Sequence, residues 1–150
     1  MNRILVMVAA GGSLATLLTA FAFQYLGGLA PCHLCLLQRW PHAAAVVIGL
    51  AALAWPWRGL GYAGALAALA TAGIGVYHSG VERHWWEGPT TCTAGNIAGL
   101  KPDELLNQIL ATPVVRCDEL GWTLLGLSMA NLNVALSLGL ALIWLVAARR

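Results

Sequence analysis

Four long apolar segments constrain this chain more than any other feature of its sequence. They cover about residues 4–23, 34–54, 60–78 and 124–147. Each approaches the roughly 20 residues that a helix needs to cross a bilayer core of about 30 Å. Within lipid the backbone must satisfy its own hydrogen bonds, and long apolar runs without period-two alternation favour helices over barrel strands. The sequence therefore predicts an all-α membrane protein, a bundle of four transmembrane helices.

The composition agrees with lipid as the solvent of this chain. Apolar residues make up 59% of the 150 residues and charged residues 9%, whereas a soluble domain carries roughly a quarter charged residues. The net charge is only +2 and no basic run is present, which argues against a nucleic-acid partner. The first segment is longer than the apolar region of a cleavable signal peptide, so we expect it to be retained as a helix.

The connecting segments predict the orientation. A predicted cytoplasmic loop at about residues 55–59 and both chain ends carry arginine but no acid, and the six acids all fall in a predicted outer loop at about residues 79–123. The other outer loop covers about residues 24–33. Counted over lysine and arginine alone, each side carries four if Arg39 is placed outside, but the segments on the side of the termini are far shorter and so have the higher basic density. The positive-inside rule then places both termini in the cytoplasm. All four cysteines face the oxidising side, where disulfides persist.

Several side chains suggest how the chain is organised around these spans. Residues 101–110 predict a short helix on the membrane surface, because acids follow a proline at its start and an apolar stripe follows them. Asn131 and Asn133 are interpreted as interhelical hydrogen-bonding groups, and small residues at four-residue spacing predict close helix packing (Gly11 with Ala15, Gly61 with Ala65, Gly64 with Ala68). Six tryptophans near predicted helix ends predict an interfacial belt: Trp55, Trp57, Trp85, Trp86, Trp122 and Trp144.

Cys32 and Cys35 form a Cys-x-x-Cys motif where the second span begins, directly after Pro31. Unpaired backbone N–H groups and the helix dipole favour negative charge at this position, and so favour thiolates. The short ring suits a disulfide that is repeatedly opened and closed. Leu36, and not histidine, follows the motif, which excludes c-type haem attachment.

Arg39 and His78 are candidate residues for binding a ligand beside this motif. Arg39 lies one turn deeper than Cys35 on the same helix face, where it can stabilise a Cys35 thiolate or bind a polarised carbonyl oxygen. In the alternative interpretation, Arg39 is an interfacial residue whose side chain extends to the lipid headgroups. His78 ends the third span. If that helix packs beside the second, His78 lies at the depth of Cys35 and Arg39 and can donate to a bound carbonyl compound.

Cys92 and Cys117 stand in the polar outer loop, and three interpretations apply to them. They can form a structural bridge, a second redox pair, or part of a zinc site with the other two cysteines. A redox-suited pair on the same face favours the second interpretation. Zinc is disfavoured because a membrane hairpin separates the pairs and extracytoplasmic thiols tend to oxidise.

Together these features resemble the DsbB family of disulfide bond formation proteins, the bacterial inner-membrane oxidases of DsbA-like thiol oxidants. The resemblance covers the four spans, the Cys-x-x-Cys-x-x-x-Arg of residues 32–39, and Cys92 and Cys117 between the third and fourth spans. His78 and the stretch at 117–122 also look like the family. The resemblance implies a multi-pass protein of the bacterial inner membrane.

The resemblance also implies a mechanism. A reduced thioredoxin-fold partner of the DsbA type would attack a Cys92–Cys117 disulfide through Cys92, and Cys117 would then attack Cys32. The Cys35 thiolate, supported by Arg39, would reduce a quinone of the membrane pool, either ubiquinone or menaquinone. His78 is carried over as a quinone contact: cofactor-binding residues are thus Arg39 and His78, and no metal is implied.

Three alternatives remain at this point. A vitamin K epoxide reductase-like protein has the same chemistry, but its Cys-x-x-Cys stands in a different helix. A non-enzymatic membrane scaffold would use the cysteines only to brace the outer loop. A metal-binding or transport protein would hold zinc on its thiols.

Overall fold

A computed structural model of the protein describes residues 1–89, 116–118 and 123–150. Its four long helices are α1 (Arg3–Tyr25), α2 (His33–Ala54), α3 (Arg58–Glu82) and α4 (Met129–Arg149). Each is long and apolar enough to cross a membrane. The predicted four-helix membrane bundle is therefore confirmed. The predicted surface helix at 101–110 and Trp122 lie outside the described residues.

Local sequence sets where three of these helices begin. The Asn2 side chain accepts from the backbone N–H groups of the first turn of α1. The Cys32 sulfur accepts from the N–H of Cys35, and the Ser128 hydroxyl accepts from the N–H of Asn131. Such side chains satisfy N–H groups that have no partner inside the helix. Cys32 is thus both a cap of α2 and a member of the Cys-x-x-Cys motif.

The last helix begins later than the sequence predicted, because a short hairpin occupies its expected first residues. Strands β1 (Thr123–Leu124) and β2 (Leu127–Ser128) pair in antiparallel register. Leu125 and Gly126 connect them with φ values of 53° and 79°, the left-handed geometry of a tight hairpin turn. The apolar residues of this hairpin extended the predicted span toward residue 124, but α4 begins after its cap, Ser128.

The helices form a ring in which α1 packs on α2, α2 on α3, α3 on α4 and α4 on α1. The N–H of Asn2 donates to the carbonyl of Ala147 at 3.2 Å, so the start of α1 meets the end of α4. Because α1 runs the length of the bundle before α2 begins, Cys32 lies at the opposite end from both termini. We call these two ends the cysteine end and the terminal end.

Small residues pack around one tryptophan at the terminal end. Trp144 is fully buried, and a Cβ added to Gly64 would lie 2.5 Å from its indole ring. A Cβ on Gly61 would lie 2.7 Å from the Cβ of Ala148. The predicted close packing through Gly61 and Gly64 is confirmed. Two expectations are wrong: Trp144 belongs to the core and not to the interfacial belt, and Gly11 is exposed.

Candidate redox site at the cysteine end

The two cysteines of the motif face each other across the first turn of α2. Their sulfur atoms lie 2.9 Å apart, and both thiols are free. Cys32 is 5% exposed, whereas Cys35 is half-buried. A disulfide needs a separation of about 2.05 Å, so a small side-chain movement brings the sulfur atoms to bonding distance when an acceptor removes two electrons and two protons. The pair can therefore exist as a dithiol or as a disulfide within the same helix turn.

Cys117 packs against this pair although it is distant in sequence. It is buried in a small cluster with Cys32, Leu34 and Val81, and Cys35 contacts the cluster. Cys117 is itself disulfide-bonded. Cys92 lies outside the described residues. The segment between α3 and α4 thus places Cys117 in one buried cluster with the cysteines of the motif, an arrangement that exchange between two pairs would require.

A charged pair stands beside Cys117. Arg116 donates to the Asp118 carboxylate from Nε at 3.0 Å and from Nη2 at 2.6 Å. These hydrogen bonds hold the pKa of the Asp118 carboxyl below its usual range. The loop next to Cys117 therefore carries a fixed ion pair at neutral pH.

His78 approaches the motif from the last turns of α3. Its Nε2 lies 3.6 Å from the Cys32 sulfur and 3.8 Å from a Glu82 carboxylate oxygen. The side chain is almost fully buried, and the backbone of Cys117 also interacts with the imidazole. His78 is thus a neighbour of Cys32 and Cys117.

Arg39 lies on another side of α2. Its Nη1 donates to Gln24 Oε1 at 2.6 Å and its Nη2 to the Ala20 carbonyl at 3.5 Å, both on α1. The guanidinium also stacks 4.8 Å above the Phe21 ring. The sequence predicts that Arg39 and His78 lie at one ligand site. The described residues place one toward α1 and the other toward α3.

A buried polar network, which sequence analysis mostly missed, continues from His78 into the bundle. Gln38 Nε2 lies 3.0 Å from His78 Nδ1, and Asn133 Nδ2 donates to Gln38 Oε1 at 2.6 Å. Thr71 and His42 contact Asn133 at 3.1 and 2.9 Å. The interhelical role predicted for Asn133 is confirmed. For Asn131 the same prediction is wrong: its backbone N–H and its Nδ2 both donate to the Ser128 hydroxyl at the start of its own helix.

The missed residues carried a usable signal. Gln38, His42 and Thr71 are polar side chains inside apolar segments, where a polar group costs free energy unless it is paired. All three are buried, and each has a hydrogen-bond partner on another helix. Their polarity within the spans could have marked them as bundle-facing.

The thiols and the imidazole together also form a possible metal-binding group. The ligand atoms of Cys32, Cys35 and His78 all lie within 4.8 Å of one another. Thiolate sulfur and imidazole nitrogen are the ligands that Zn²⁺ prefers. The same three side chains thus suit two chemistries, thiol exchange and metal binding.

Comparison with known proteins decides the family. The sequence profile described as "Disulfide bond formation protein DsbB" matches residues 2–147. The chain belongs to the DsbB family. This confirms the resemblance drawn from the cysteine pattern and makes the protein a disulfide bond formation protein with disulfide oxidoreductase activity.

Curated DsbB relatives are similar along most of the chain. "Disulfide bond formation protein B" of Polaromonas sp. is 30% identical over 153 residues, covering 97% of this chain and 89% of the relative. That of Albidiferax ferrireducens is 30% identical, covering 85% and 79%. "Disulfide bond formation protein B 2" of Pseudomonas aeruginosa is 33% identical, covering 90% and 83%. No solved structure matches the chain.

Proposed function

We propose that this protein is a membrane thiol:quinone oxidoreductase that reoxidises a DsbA-like partner and thereby supports disulfide formation in exported proteins. The observation that carries the proposal is the burial of Cys117 against Cys32, with Cys35 in contact. A loop disulfide that only braced the loop would have no need to lie on a second pair of thiols.

The first step is exchange with the soluble partner. A thiolate of the reduced partner attacks Cys92 of a Cys92–Cys117 disulfide, a partner–Cys92 bond forms, and Cys117 leaves as a thiolate. The partner's second thiol then attacks the partner sulfur that is bonded to Cys92, and Cys92 leaves as a thiolate. The partner leaves oxidised, and two electrons remain on the loop pair.

The second step passes these electrons to the motif. The Cys117 thiolate attacks Cys32 of a Cys32–Cys35 disulfide, and Cys35 leaves as a thiolate. The Cys92 thiolate then attacks Cys117, which restores the loop disulfide and releases Cys32. The burial of Cys117 in one cluster with Cys32 supports this order of attack, because exchange requires the two sulfur atoms to approach each other.

The third step delivers two electrons and two protons to a quinone substrate, ubiquinone or menaquinone, and the Cys32–Cys35 disulfide forms again. Cys35 is the more exposed residue of the motif, and Arg39 and Glu82 both act on its thiol electrostatically. The Arg39 cation above Phe21 suits the polar edge and flat face of a quinone ring. His78 touches Cys32, and a direct contact between His78 and quinone remains a prediction.

The orientation belongs to the same proposal. Both termini share the end opposite the cysteines. In the bacterial inner membrane, cytoplasmic termini would place the cysteine end in the periplasm, where the partner works and disulfides persist.

Metal binding is the second candidate function, and the proximity of Cys32, Cys35 and His78 favours it. It makes a different prediction for the purified, reduced protein. Stoichiometric zinc together with unreactive thiols would support metal binding. Zinc-free protein with reactive thiols would support the oxidase.

Quinone absorbance during turnover tests the main proposal. The purified protein in lipid, supplied with quinone and a reduced thioredoxin-fold donor, should form quinol continuously. A Cys35→Ser variant should fall to background, while Gly73→Ala, which has no atom within 4 Å of its added Cβ, should keep full activity. Absence of quinol formation by the unmodified protein, or equal rates with Cys35→Ser, would refute the mechanism.

A further inference from the structure

We propose that Gln38 and Asn133 are positioning residues that hold the ring proton of His78 on Nε2, so that the imidazole presents an N–H donor to the Cys32 sulfur. Only the consequence of this proton position for catalytic turnover rests on the proposed function. The position of the proton follows from the hydrogen-bond network itself.

The orientation of the Gln38 amide is set by a backbone carbonyl. Gln38 Nε2 lies 3.3 Å from the carbonyl oxygen of Leu34, a group that can only accept. If the amide were reversed, two oxygens would face each other there. Gln38 therefore directs its N–H groups to Leu34 and to His78 Nδ1, and its oxygen toward Asn133.

A second backbone carbonyl sets the orientation of Asn133. The Thr71 hydroxyl donates its hydrogen to the Gln38 carbonyl at 3.2 Å, so the Thr71 oxygen can only accept from Asn133 Nδ2 at 3.1 Å. The same Nδ2 donates to Gln38 Oε1. Asn133 thus keeps Gln38 from turning over, because a reversed Gln38 would lose this donor.

The far end of the network agrees with this orientation. Asn133 Oδ1 accepts from the Ser137 hydroxyl at 3.3 Å and lies 2.9 Å from His42 Nε2. An oxygen acceptor at that distance requires the His42 proton on Nε2. His42 Nδ1 is buried and has no hydrogen-bond partner among the described residues, as expected for an unprotonated nitrogen.

The proton position of His78 follows. Its Nδ1 accepts from Gln38, and a neutral imidazole carries its one proton on the other nitrogen. The groups beside the other nitrogen agree with this position, and the Cys117 backbone also interacts with the ring. Nε2 faces the Cys32 sulfur and the Glu82 carboxylate, which both accept hydrogen bonds.

This tautomer has two consequences at the motif. The Nε2–H stabilises the charge on Cys32 when that sulfur is released as a thiolate. It also leaves no lone pair on the nitrogen that faces the thiols, and a metal ligand needs one. The network therefore favours thiol exchange over metal binding by the same three side chains.

The tautomer is measured directly by ¹⁵N NMR of histidine-labelled protein in lipid nanodiscs, with the His78 signal assigned by its loss in His78→Asn. The unmodified protein should show His78 protonated on Nε2 and unprotonated on Nδ1. Gln38→Leu and Gln38→Met, which remove the donor to Nδ1, should give a mixture of both tautomers. Asn133→Leu should do so partly, and the matched control Asn131→Leu should not.

A chemical readout accompanies the spectrum. In a Cys35→Ser background, alkylation of Cys32 at fixed pH should slow about 2- to 10-fold with Gln38→Leu, the effect of one hydrogen bond to the thiolate.

A His78 protonated on Nδ1 in the unmodified protein would overturn the inference. An unchanged His78 spectrum in both Gln38 variants would overturn the positioning role. Neither measurement needs turnover, so failure of quinone reduction alone would count only against the proposed function.

Discussion

The two ends of this four-helix bundle are held together in different ways. At the terminal end, glycine and alanine let the helices approach closely around Trp144, and a Cβ on Gly64 would overlap its ring. At the cysteine end, side-chain hydrogen bonds join α2, α3 and α4 through Gln38, Thr71 and Asn133. One end depends on shape and the other on polar contacts.

The difference shows what each end requires. In lipid no hydrophobic force drives helices together, so close packing of small residues supplies the association at the terminal end. Buried polar groups cost free energy unless every one is paired. We infer that the cysteine end tolerates them because its network orients groups that act on sulfur. Changes at the two ends should therefore have different effects.

Arg39→Met should give the largest effect of these changes, and the effect should be on quinone turnover. Loss of a hydrogen bond to a charged group costs about 1.5–3 kcal/mol, which corresponds to a decrease of about 10- to 100-fold in kcat/KM for quinone. A small dithiol as electron donor keeps partner docking out of the measurement. Arg39→Lys should restore part of the activity.

Arg83→Met is the matched control, because Arg83 lies at the same end but follows α3 and stacks 5.1 Å above Trp85, whereas Arg39 turns toward α1. It should leave the quinone kinetics unchanged. Equal losses in both variants would mean that a general positive charge, and not Arg39, supports the reaction.

Gly64→Ala should destabilise the terminal end without changing the chemistry. The added Cβ meets the Trp144 indole at 2.5 Å, and overpacking of this kind costs about 1–3 kcal/mol. Thermal unfolding in detergent should show a lower Tm, with normal turnover per folded molecule. Gly73→Ala on the same helix should leave Tm unchanged or raise it slightly. A stable Gly64→Ala protein would contradict the packing described for this end.

Asn133→Leu should give a smaller loss of stability, together with a change in Cys32 reactivity. Interhelical hydrogen bonds in membranes contribute about 0.6–1.7 kcal/mol each, and we expect a loss of about 1 kcal/mol. Chemical unfolding and Cys32 alkylation measure the two effects. Asn131→Leu should change neither, because Asn131 donates to Ser128 at the start of its own helix and not to another helix. Identical behaviour of the two variants would remove the distinction between the ends.

Hydropathy was sufficient to predict the four helices, and the spacing of the cysteines was sufficient to predict the family and its disulfide oxidoreductase activity. Packing details were not accessible in this way. Trp144 looked interfacial because its position along the chain is near a helix end, and only the facing Gly64 shows that it is buried. Likewise, Leu124 and Leu127 are as apolar as a span but belong to a hairpin.

The sequence predicted only part of the site, because it gives the depth of a residue along its helix but not the helix that it faces. Spacing placed Arg39 near Cys35 in depth, but the side to which an arginine turns depends on which helix is adjacent. Neighbouring residues on a helix point about 100° apart, so Gln38 faces α3 while Arg39 faces α1. The helix order needed for that conclusion comes from the tertiary structure.

Disulfide mapping in a Cys92→Ser variant tests the central claim most directly, namely that electrons pass from Cys117 to Cys32. Without Cys92, the Cys117 thiolate can attack Cys32, and the product lacks the thiol that would restore the loop disulfide. Mass spectrometry of the purified protein should find a Cys32–Cys117 disulfide and a free Cys35 thiol. An intact Cys32–Cys35 disulfide beside a free Cys117 thiol would contradict the account.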